Sequence, residues 1–465
     1  MAVELCKTGL WLESIEPGKP LSFLDAHVQC GNALVGILDP EQLEKGIPAD
    51  AYKPLSGDDK NICSELKKQN AQAIKKDKYG EKLAVSLRVI PQAFKELEAM
   101  QEDTVAQVEA KRRAFAEARA KQDYQNDRLK EDLFTAAFFA PKTAKTAQQV
   151  PTNNHLKLAA EGHSLPDDVR NFTRELANTH RFFHWSLAFP QVFGEGASGG
   201  FDVMLGNPPW DQLQYDPQEF FSSRAPEIAD ARHMSAREKL IKQLETSAPS
   251  LYKEHLKAQE AILRTQAFVH GGGRFPLTSF GRINLAPLFA EHFSNAKATR
   301  GRSGFIVPSG IATDSFTQQF FRNLVETNKI VSLFDFENRE AIFPDVHRSY
   351  KFSLVTLGSK IVHSMFGFFL SKANEIYDNR RAFTLSQKDF ALINPNTGTC
   401  PVFRTQKDAE ITKKIYASGQ VLIREPDGKR PEINSWGINF QLMFMMNTAS
   451  HLFKTYKEIQ EIGGS

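Results

Sequence analysis

Residues 201–210 read Phe-Asp-Val-Met-Leu-Gly-Asn-Pro-Pro-Trp, and they constrain the fold more than any other stretch of this 465-residue chain. They predict a short apolar strand that runs into Gly206 and ends there. The two adjacent prolines that follow can continue neither a sheet nor a helix interior, because proline lacks the amide hydrogen and fixes φ. The sequence therefore predicts a stiff, extended loop at a strand end, with the Asn207 amide and the Trp210 indole at its mouth.

This loop has the groups needed to hold a planar ligand that forms hydrogen bonds, such as a nucleobase. The side-chain carbonyl of Asn207 and the main-chain carbonyl of Pro208 can accept hydrogen bonds from an exocyclic amino group. Two such acceptors would make that nitrogen more nucleophilic, while Trp210 stacks on a base turned out of a duplex. The alternative is a proline turn with Trp210 in the core, because short motifs also match by chance.

Several other segments carry a wider pattern. Ahead of the loop lie His184-Trp185, Phe189-Pro190-Gln191-Val192-Phe193 and Gly199-Gly200-Phe201-Asp202-Val203. Further matches are Pro20–Asp25 with Cys30-Gly31-Asn32, Phe305–Gly310, Phe336–Arg339 with Ile342–Pro344 and His347–Ser349, and Asn394–Thr397 with Phe403–Thr405. Together these segments resemble the large adenine-specific DNA methyltransferases of the type IIG restriction-modification and phage-defence class, and they spread over most of the chain.

The resemblance implies an α/β fold with a Rossmann-like class I methyltransferase core, a long helical insertion and a partial C-terminal α/β region. It also implies S-adenosylmethionine as the cofactor. The glycine-rich first motif of the family, Asp-Pro-Ala-Cys-Gly-Ser-Gly, does not occur in the sequence, and Met1–Leu5 aligns just after the second strand. We therefore expect an incomplete core that lacks its first strands, with a second polypeptide as the source of the missing N-terminal half.

The same resemblance assigns roles to individual residues. The catalytic loop would be Asn207, Pro208, Pro209 and Trp210, with Trp210 and Phe343 stacking on the two faces of the base. Cofactor contacts would come from Asn32, Asn284 and Phe289, and contacts to the DNA backbone from Arg339, Arg348 and Lys351. For Phe343 and Phe289 the alternative is core packing, and for the three cations it is an ordinary surface charge.

The function implied is S-adenosylmethionine-dependent methylation of the exocyclic amino group of adenine in double-stranded DNA, within a restriction-modification or phage-defence system. One alternative is a catalytically inactive fragment or DNA-binding subunit of such a system, which the missing glycine-rich motif favours. Another is methylation of RNA or of protein glutamine, since Asn-Pro-Pro followed by an aromatic residue also serves there.

The composition of the chain limits the possible functions less than the motifs do. The net charge of +3 argues neither for nor against a DNA partner, so any basic face must be local. No apolar run is long enough to cross a membrane. The four cysteines, at positions 6, 30, 63 and 400, are scattered. This is typical of reduced thiols in a cytoplasmic protein and gives no recognisable zinc site or other metal site.

Periodicity and breakers divide the chain into four regions. These are a partial methyltransferase core (1–40), a helical insertion (41–185), the catalytic core (186–360) and the start of a C-terminal or target-recognition region (361–465). Helices are predicted at 1–16, in two or three long pieces within 60–133, and at 166–184, 251–268, 284–298, 315–327 and 407–418. Strands are predicted at 304–308, 330–336, 352–357 and 366–370, a strand-like run at 21–37, a loop at 141–165 and an irregular stretch at 211–250. The alternation of strands and helices after residue 186 suggests a doubly wound sheet.

Overall fold

The structure is a computed structural model that describes residues 1–75, 91–193, 199–419, 421–426, 431–440, 445 and 449–461. Within these residues the chain forms a mixed α/β structure with one six-stranded sheet. The predicted α/β class is confirmed.

The α-helices, in chain order, are α1 (Ala2–Glu13), α2 (Lys60–Lys75), α3 (Pro91–Glu98), α4 (Val105–Ala120), α5 (Gln122–Phe139), α6 (Asn153–Ala160), α7 (Asp167–His180), α8 (Trp185–Ala188), α9 (Pro190–Phe193), α10 (Pro217–Ser222), α11 (Pro226–Ala229), α12 (Met234–Ser247), α13 (Pro249–Gly271), α14 (Leu285–Ala296), α15 (Gly310–Thr313), α16 (Gln318–Glu326), α17 (Gln387–Ile393), α18 (Gln406–Ser418) and α19 (Tyr456–Glu461). The strands are β1 (Phe201–Gly206), β2 (Lys297–Pro308), β3 (Ile330–Glu337), β4 (Lys351–Leu357), β5 (Ser364–Leu370) and β6 (Phe383–Leu385).

The sheet is mixed, with the strand order β1-β2-β4-β3-β5-β6. β1 pairs with β2 in parallel, and β3 pairs with β5 in parallel. β4 lies between β2 and β3 and runs antiparallel to both, and β6 is antiparallel to β5. β1 is therefore an edge strand of the described sheet, and the predicted catalytic loop leaves from its carboxyl end.

The two largest apolar clusters of the described residues lie on the sheet and around α5. The larger one covers the sheet and is built mainly from aromatic and branched side chains, among them Phe305, Val307, Phe320, Leu333 and Val355. β-branched and aromatic residues fit the pleated surface of a strand, which explains why these segments form a sheet. Complete burial of one such side chain contributes about 1.5–3 kcal/mol to stability.

The second core lies around α5. The last seven residues of this helix, 133–139, are all buried, so every face of its final two turns contacts protein. α5 packs against α6, α7 and α13, and the ring of Phe138 lies 5.4 Å from that of Phe268 on α13. A helix buried on all sides belongs to the interior of a helical layer.

Most of the predicted elements occur where the pattern placed them. The helices predicted at 166–184, 251–268, 284–298, 315–327 and 407–418 correspond to α7, α13, α14, α16 and α18. The strands predicted at 304–308, 330–336, 352–357 and 366–370 fall within β2, β3, β4 and β5. Of the helices predicted within 60–133, α2 to α5 are observed, and residues 76–90 lie outside the described part.

The strand-like run predicted at 21–37 is wrong. This segment does run alongside residues 181–185, with hydrogen bonds such as Phe183 N to Val35 O at 2.8 Å, but only an isolated bridge between Asn32 and Phe182 forms. Gly36 adopts φ +136, a left-handed conformation that glycine tolerates, and any side chain there would collide with the Phe183 carbonyl. The apolar residues of the run are buried by packing and not by a sheet.

Two predicted irregular regions contain helices. The stretch at 211–250 holds α10, α11 and α12, and the predicted loop at 141–165 holds α6. α10 begins with Pro217 after the cap residue Asp216, whose side chain accepts a hydrogen bond from Gln218 N. An Asp cap followed by proline is a helix-start signal that apolar periodicity alone does not register.

Among the described residues, no helix combines the length and the apolar character needed to cross a bilayer.

Candidate active site

The end of β1 is fixed by close packing against α14. Gly206 lies against the ring of Phe293, and a Cβ at this position would come within 2.8 Å of that ring's Cζ. Phe293 in turn packs on Phe305 of β2, with the ring centroids 5.7 Å apart. The glycine before the Asn-Pro-Pro-Trp loop is therefore required by the approach of an aromatic ring.

The loop presents its residues alternately to solvent and to protein. Asn207 and Pro209 are exposed, whereas Pro208 is buried and Trp210 is half-buried. The Asn207 side chain makes no hydrogen bond to the described residues, so its amide is free to meet a ligand. The predicted arrangement, with an amide at the mouth of a stiff loop after a strand, agrees with this placement.

Trp210 is held at its side chain and at its main chain. Its indole Nε1 donates to the carbonyl of Ile306, 3.4 Å away on β2. Its own carbonyl accepts a hydrogen bond of 2.8 Å from Asn284 Nδ2. The indole packs against both the main sheet core and a smaller cluster formed by Phe336, Phe352 and Leu370.

Phe343 packs against that same smaller cluster, which we call the aromatic cluster. Its ring meets the ring of Phe352 edge to face at a centroid distance of 5.1 Å. Both rings predicted to stack on a base, Trp210 and Phe343, therefore contact one group of side chains on β3, β4 and β5. Residues 133 positions apart in the sequence thus pack against the same cluster.

The loop that carries Phe343 depends on Asn338. This fully buried side chain donates to the carbonyls of Phe343 and Val346 at 2.9 and 2.8 Å, and it accepts a hydrogen bond of 3.0 Å from Phe343 N. Sequence reasoning assigned no role to Asn338. The sequence feature that could have indicated this role is the position of Asn338 directly after an apolar strand. An asparagine side chain at such a position can form hydrogen bonds to the backbone of a turn.

Two of the residues expected to contact the cofactor lie on α14. Asn284 caps the helix, because its Oδ1 accepts a hydrogen bond of 2.9 Å from Ala286 N. Phe289 is half-buried against an apolar cluster that includes Leu34. The third, Asn32, lies two residues before Leu34 and is exposed, with its Oδ1 3.3 Å from Leu34 N.

The three predicted backbone-contacting cations are all exposed. Arg339 pairs with Glu337 through an Nε–Oε2 contact of 2.8 Å. Lys351 begins β4, and Arg348 lies in the same loop region as Phe343. Lys351 is next to Phe352 of the aromatic cluster, and Arg339 and Arg348 lie in the segment that joins β3 to β4.

A buried polar group supports the segment that leads to β1. His184 Nδ1 accepts a hydrogen bond from Ile37 N at 3.1 Å, and its Nε2 lies 3.0 Å from Asp132 Oδ1. Glu131 Oε2 approaches Nδ1 at 3.3 Å, and burial raises the pKa of the Glu131 carboxyl to about 7.

Comparison with known proteins identifies the class. The sequence model of the Eco57I restriction-modification methylase family matches residues 1–242, just over half of the 465 residues, so the chain belongs to this family. The match includes the Asn-Pro-Pro-Trp loop and confirms the predicted resemblance to a restriction-modification methyltransferase. A comparison with curated proteins found no match.

Two solved structures share local similarity with the chain. One is the methyltransferase subunit of a type I restriction-modification system from Streptococcus thermophilus, at 11% identity over 54% of this chain and 52% of that chain, with a TM-score of 0.27. The other is the type IIG restriction endonuclease BpuSI, at 15% identity over 57% of this chain and 30% of that chain, with a TM-score of 0.21. The matched part of this chain thus covers about half of the first protein and less than a third of the second.

Proposed function

We propose that this chain holds the target adenine during methylation of double-stranded DNA in a restriction-modification or phage-defence system. The observation that supports this most is the convergence of Trp210 and Phe343 on one aromatic cluster, next to a free Asn207 amide. Two rings and an amide acceptor are what a base turned out of a duplex needs.

In this proposal the base lies between the two rings, and its exocyclic amino group donates one hydrogen to Asn207 Oδ1 and the other to the Pro208 carbonyl. Withdrawing both hydrogens towards acceptors concentrates the nitrogen lone pair. Catalysis then depends on geometry and on fixed dipoles, and no strong general base is needed. In the same proposal the exposed Arg339, Arg348 and Lys351 contact the DNA backbone.

The methyl donor proposed for this reaction is S-adenosylmethionine, whose sulfonium supplies an electrophilic methyl group when bound. Asn284 already uses its amide for the helix cap and for the Trp210 carbonyl, Asn32 bonds to its own loop, and Phe289 is half-buried. In the part of the chain that the structure describes, these three residues do not form a complete site for the donor.

This observation favours a second candidate function, a DNA-binding subunit that captures adenine while another polypeptide supplies the donor site. Isothermal titration of the chain with S-adenosylmethionine distinguishes the two functions. Micromolar binding by the chain alone supports a self-sufficient methyltransferase, whereas no binding together with retained DNA binding supports the subunit.

The central test is Asn207→Ala. In a reconstituted form whose parent methylates genomic DNA with S-adenosylmethionine, the variant is expected to form no N6-methyldeoxyadenosine, detected by mass spectrometry of nucleosides, because one amino-group acceptor is gone. DNA binding, measured by fluorescence anisotropy, is expected to be retained. Asn178→Ala, which removes an exposed amide on α7, serves as the control. Methylation by the Asn207 variant at the parent rate would remove this residue from its role.

A further inference from the structure

A cavity lies beside the polypeptide that follows Trp210. It has a volume of about 290 Å³ and is formed by the turn before α14 and by the segment from the end of β2 to the start of α16. Its lining includes Gln212, Phe280, Arg282, Asn284, Asp314 and Phe316. None of the roles discussed so far uses this cavity, apart from the shared Asn284.

The cavity is coupled directly to the proposed base-holding loop. Gln212, two residues after Trp210, forms an isolated β-bridge with Asn284. The Asp211 carbonyl accepts a hydrogen bond of 2.9 Å from Leu285 N, and Asn284 Nδ2 bonds to the Trp210 carbonyl at 2.8 Å. One wall of the cavity is therefore the backbone that positions Trp210.

Two aromatic rings at this cavity remain open to solvent. Phe280 is 40% exposed and Phe316 is 56% exposed. Gly281 adopts φ +61, and a Cβ there would come within 2.6 Å of Phe316 Cε1, so the turn fits the ring only because this residue is glycine. Exposed apolar side chains gathered at a cavity indicate a binding surface, whereas single exposed ones do not.

The polar groups of the cavity suit a nucleotide. The Arg282 guanidinium is exposed and forms no ion pair within the described residues, so it is available for a phosphate. The exposed Asp314 carboxylate and the Gln212 amide can accept hydrogen bonds from the amino group of a base. Aromatic faces combined with one free cation are the usual means of binding unpaired nucleic acid.

We propose that this cavity binds a second nucleotide of the DNA, next to the target adenine, with its base on Phe316 and Phe280 and its phosphate on Arg282. The inference rests on the proposed function, because it takes DNA as the ligand. The inference adds a binding site for a base next to the target adenine. This second base would remain unstacked from the duplex while the target base is held. The coupling through Asn284 then links occupation of the cavity to the position of Trp210.

The first experiment measures affinity for a fluorescein-labelled DNA duplex with a randomised centre. Phe316→Ala is expected to weaken binding by roughly tenfold, the effect of losing one base–aromatic stack. Phe316→Tyr keeps the ring and is expected to bind like the parent. Met234→Ala, which truncates a 73% exposed side chain on α12, is the control and is expected to have no effect. Affinity of Phe316→Ala within twofold of the parent would overturn the inference.

The second experiment locates the contact. DNA of the same design with 5-iododeoxyuridine in the centre is irradiated with the chain, and the linked peptides are mapped by mass spectrometry. Adducts at Phe280 or Phe316 support the cavity site. Adducts only at Trp210 or Phe343 refute the inference but leave the proposed function intact. A parent chain that binds no DNA at all would overturn both.

Discussion

Individual residues around the Asn-Pro-Pro-Trp loop are positioned by close contacts that a sequence pattern does not contain. Gly206 leaves room for the Phe293 ring because it has no side chain, and Trp210 is held by hydrogen bonds at its indole and its carbonyl. The residue types at the loop could be read from the sequence, because proline and asparagine have strong local meaning. Phe293 could be predicted to face inward from its helical spacing, but its contact with Gly206 and the role of Asn338 could not, since both depend on tertiary packing.

Trp210→Ala tests stacking directly. Loss of the indole is expected to weaken base capture by about 1–3 kcal/mol, the range for one base–aromatic stack. The measurement is the fluorescence increase of 2-aminopurine in duplex DNA. The probe replaces the adenine that the parent methylates. If the chain alone does not methylate DNA, the probe is placed at randomised central positions. Trp436→Ala removes an exposed indole elsewhere and is the control. An identical fluorescence change in Trp210→Ala and the parent would argue against stacking.

Glu131 gives a pH-dependent prediction. Burial raises its pKa from 4.5 to about 7, with smaller contributions from the neighbouring carboxylates Asp127 and Asp132, while His184 and Ser186 oppose the rise. A folded-state pKa above the unfolded value means that the folded protein holds the extra proton. The associated stability is complete below pH 4.5 and is lost as the pH rises through about 7.

Glu131→Gln removes this titration. Relative to the variant, the parent is expected to lose free energy of unfolding between pH 4.5 and 7, by an amount on the order of 3 kcal/mol. Urea denaturation of both proteins at the two ends of this range measures the difference. A stability difference that is the same at both pH values would show that Glu131 titrates normally.

At the scale of helices and strands, the sequence pattern predicted the elements whose formation depends on neighbouring residues. α14 and α16 were found because their apolar residues recur at helical spacing, and β2, β3 and β4 because they are short apolar runs between breakers. The run at 21–37 has the same apolar character, but its glycines and its packing against residues 181–185 keep it out of the sheet. The order in which strands pair depends on contacts between distant segments. The alternation of strands and helices along the sequence therefore could not distinguish a mixed sheet from a parallel one.

Asn284 joins two elements, and two substitutions separate its roles. Asn284→Ala is expected to lower stability by about 0.5–2 kcal/mol through loss of the α14 cap. It is also expected to weaken DNA binding because the Trp210 carbonyl loses its donor. Asn284→Asp keeps a capping oxygen but has no donor for the Trp210 carbonyl, so it is expected to be more stable than Asn284→Ala and still deficient in binding. Thermal unfolding and anisotropy measure the two effects, and normal DNA binding by Asn284→Asp would contradict the coupling.

For the molecule as a whole, the edge strand β1 is the least protected feature of the described sheet. Val203 and Leu205 point to the same face because they are two residues apart, and they are 68% and 82% exposed. An edge with exposed apolar side chains is prone to pairing with another chain. The division of the chain into four regions remains a prediction.

Leu205→Lys is expected to reduce self-association, since a charge on an edge strand opposes pairing. Sedimentation velocity of parent and variant over a range of concentrations measures the change. Leu256→Lys places the same charge at an exposed position on α13 and is the control. Equal self-association of Leu205→Lys and the parent would show that the edge is not the contact surface.

The Asn338 side chain affects how the free-energy cost of base capture is divided between protein and DNA. Its three hydrogen bonds are all to the loop of Phe343 and come from the protein itself, so little conformational entropy is lost in this loop when a base enters. In the proposed function, the energetic demand of capture then falls on the DNA, which must break a base pair and its stacking. In that function the protein is a rigid receptor, and it favours adenines whose pairing is already weak.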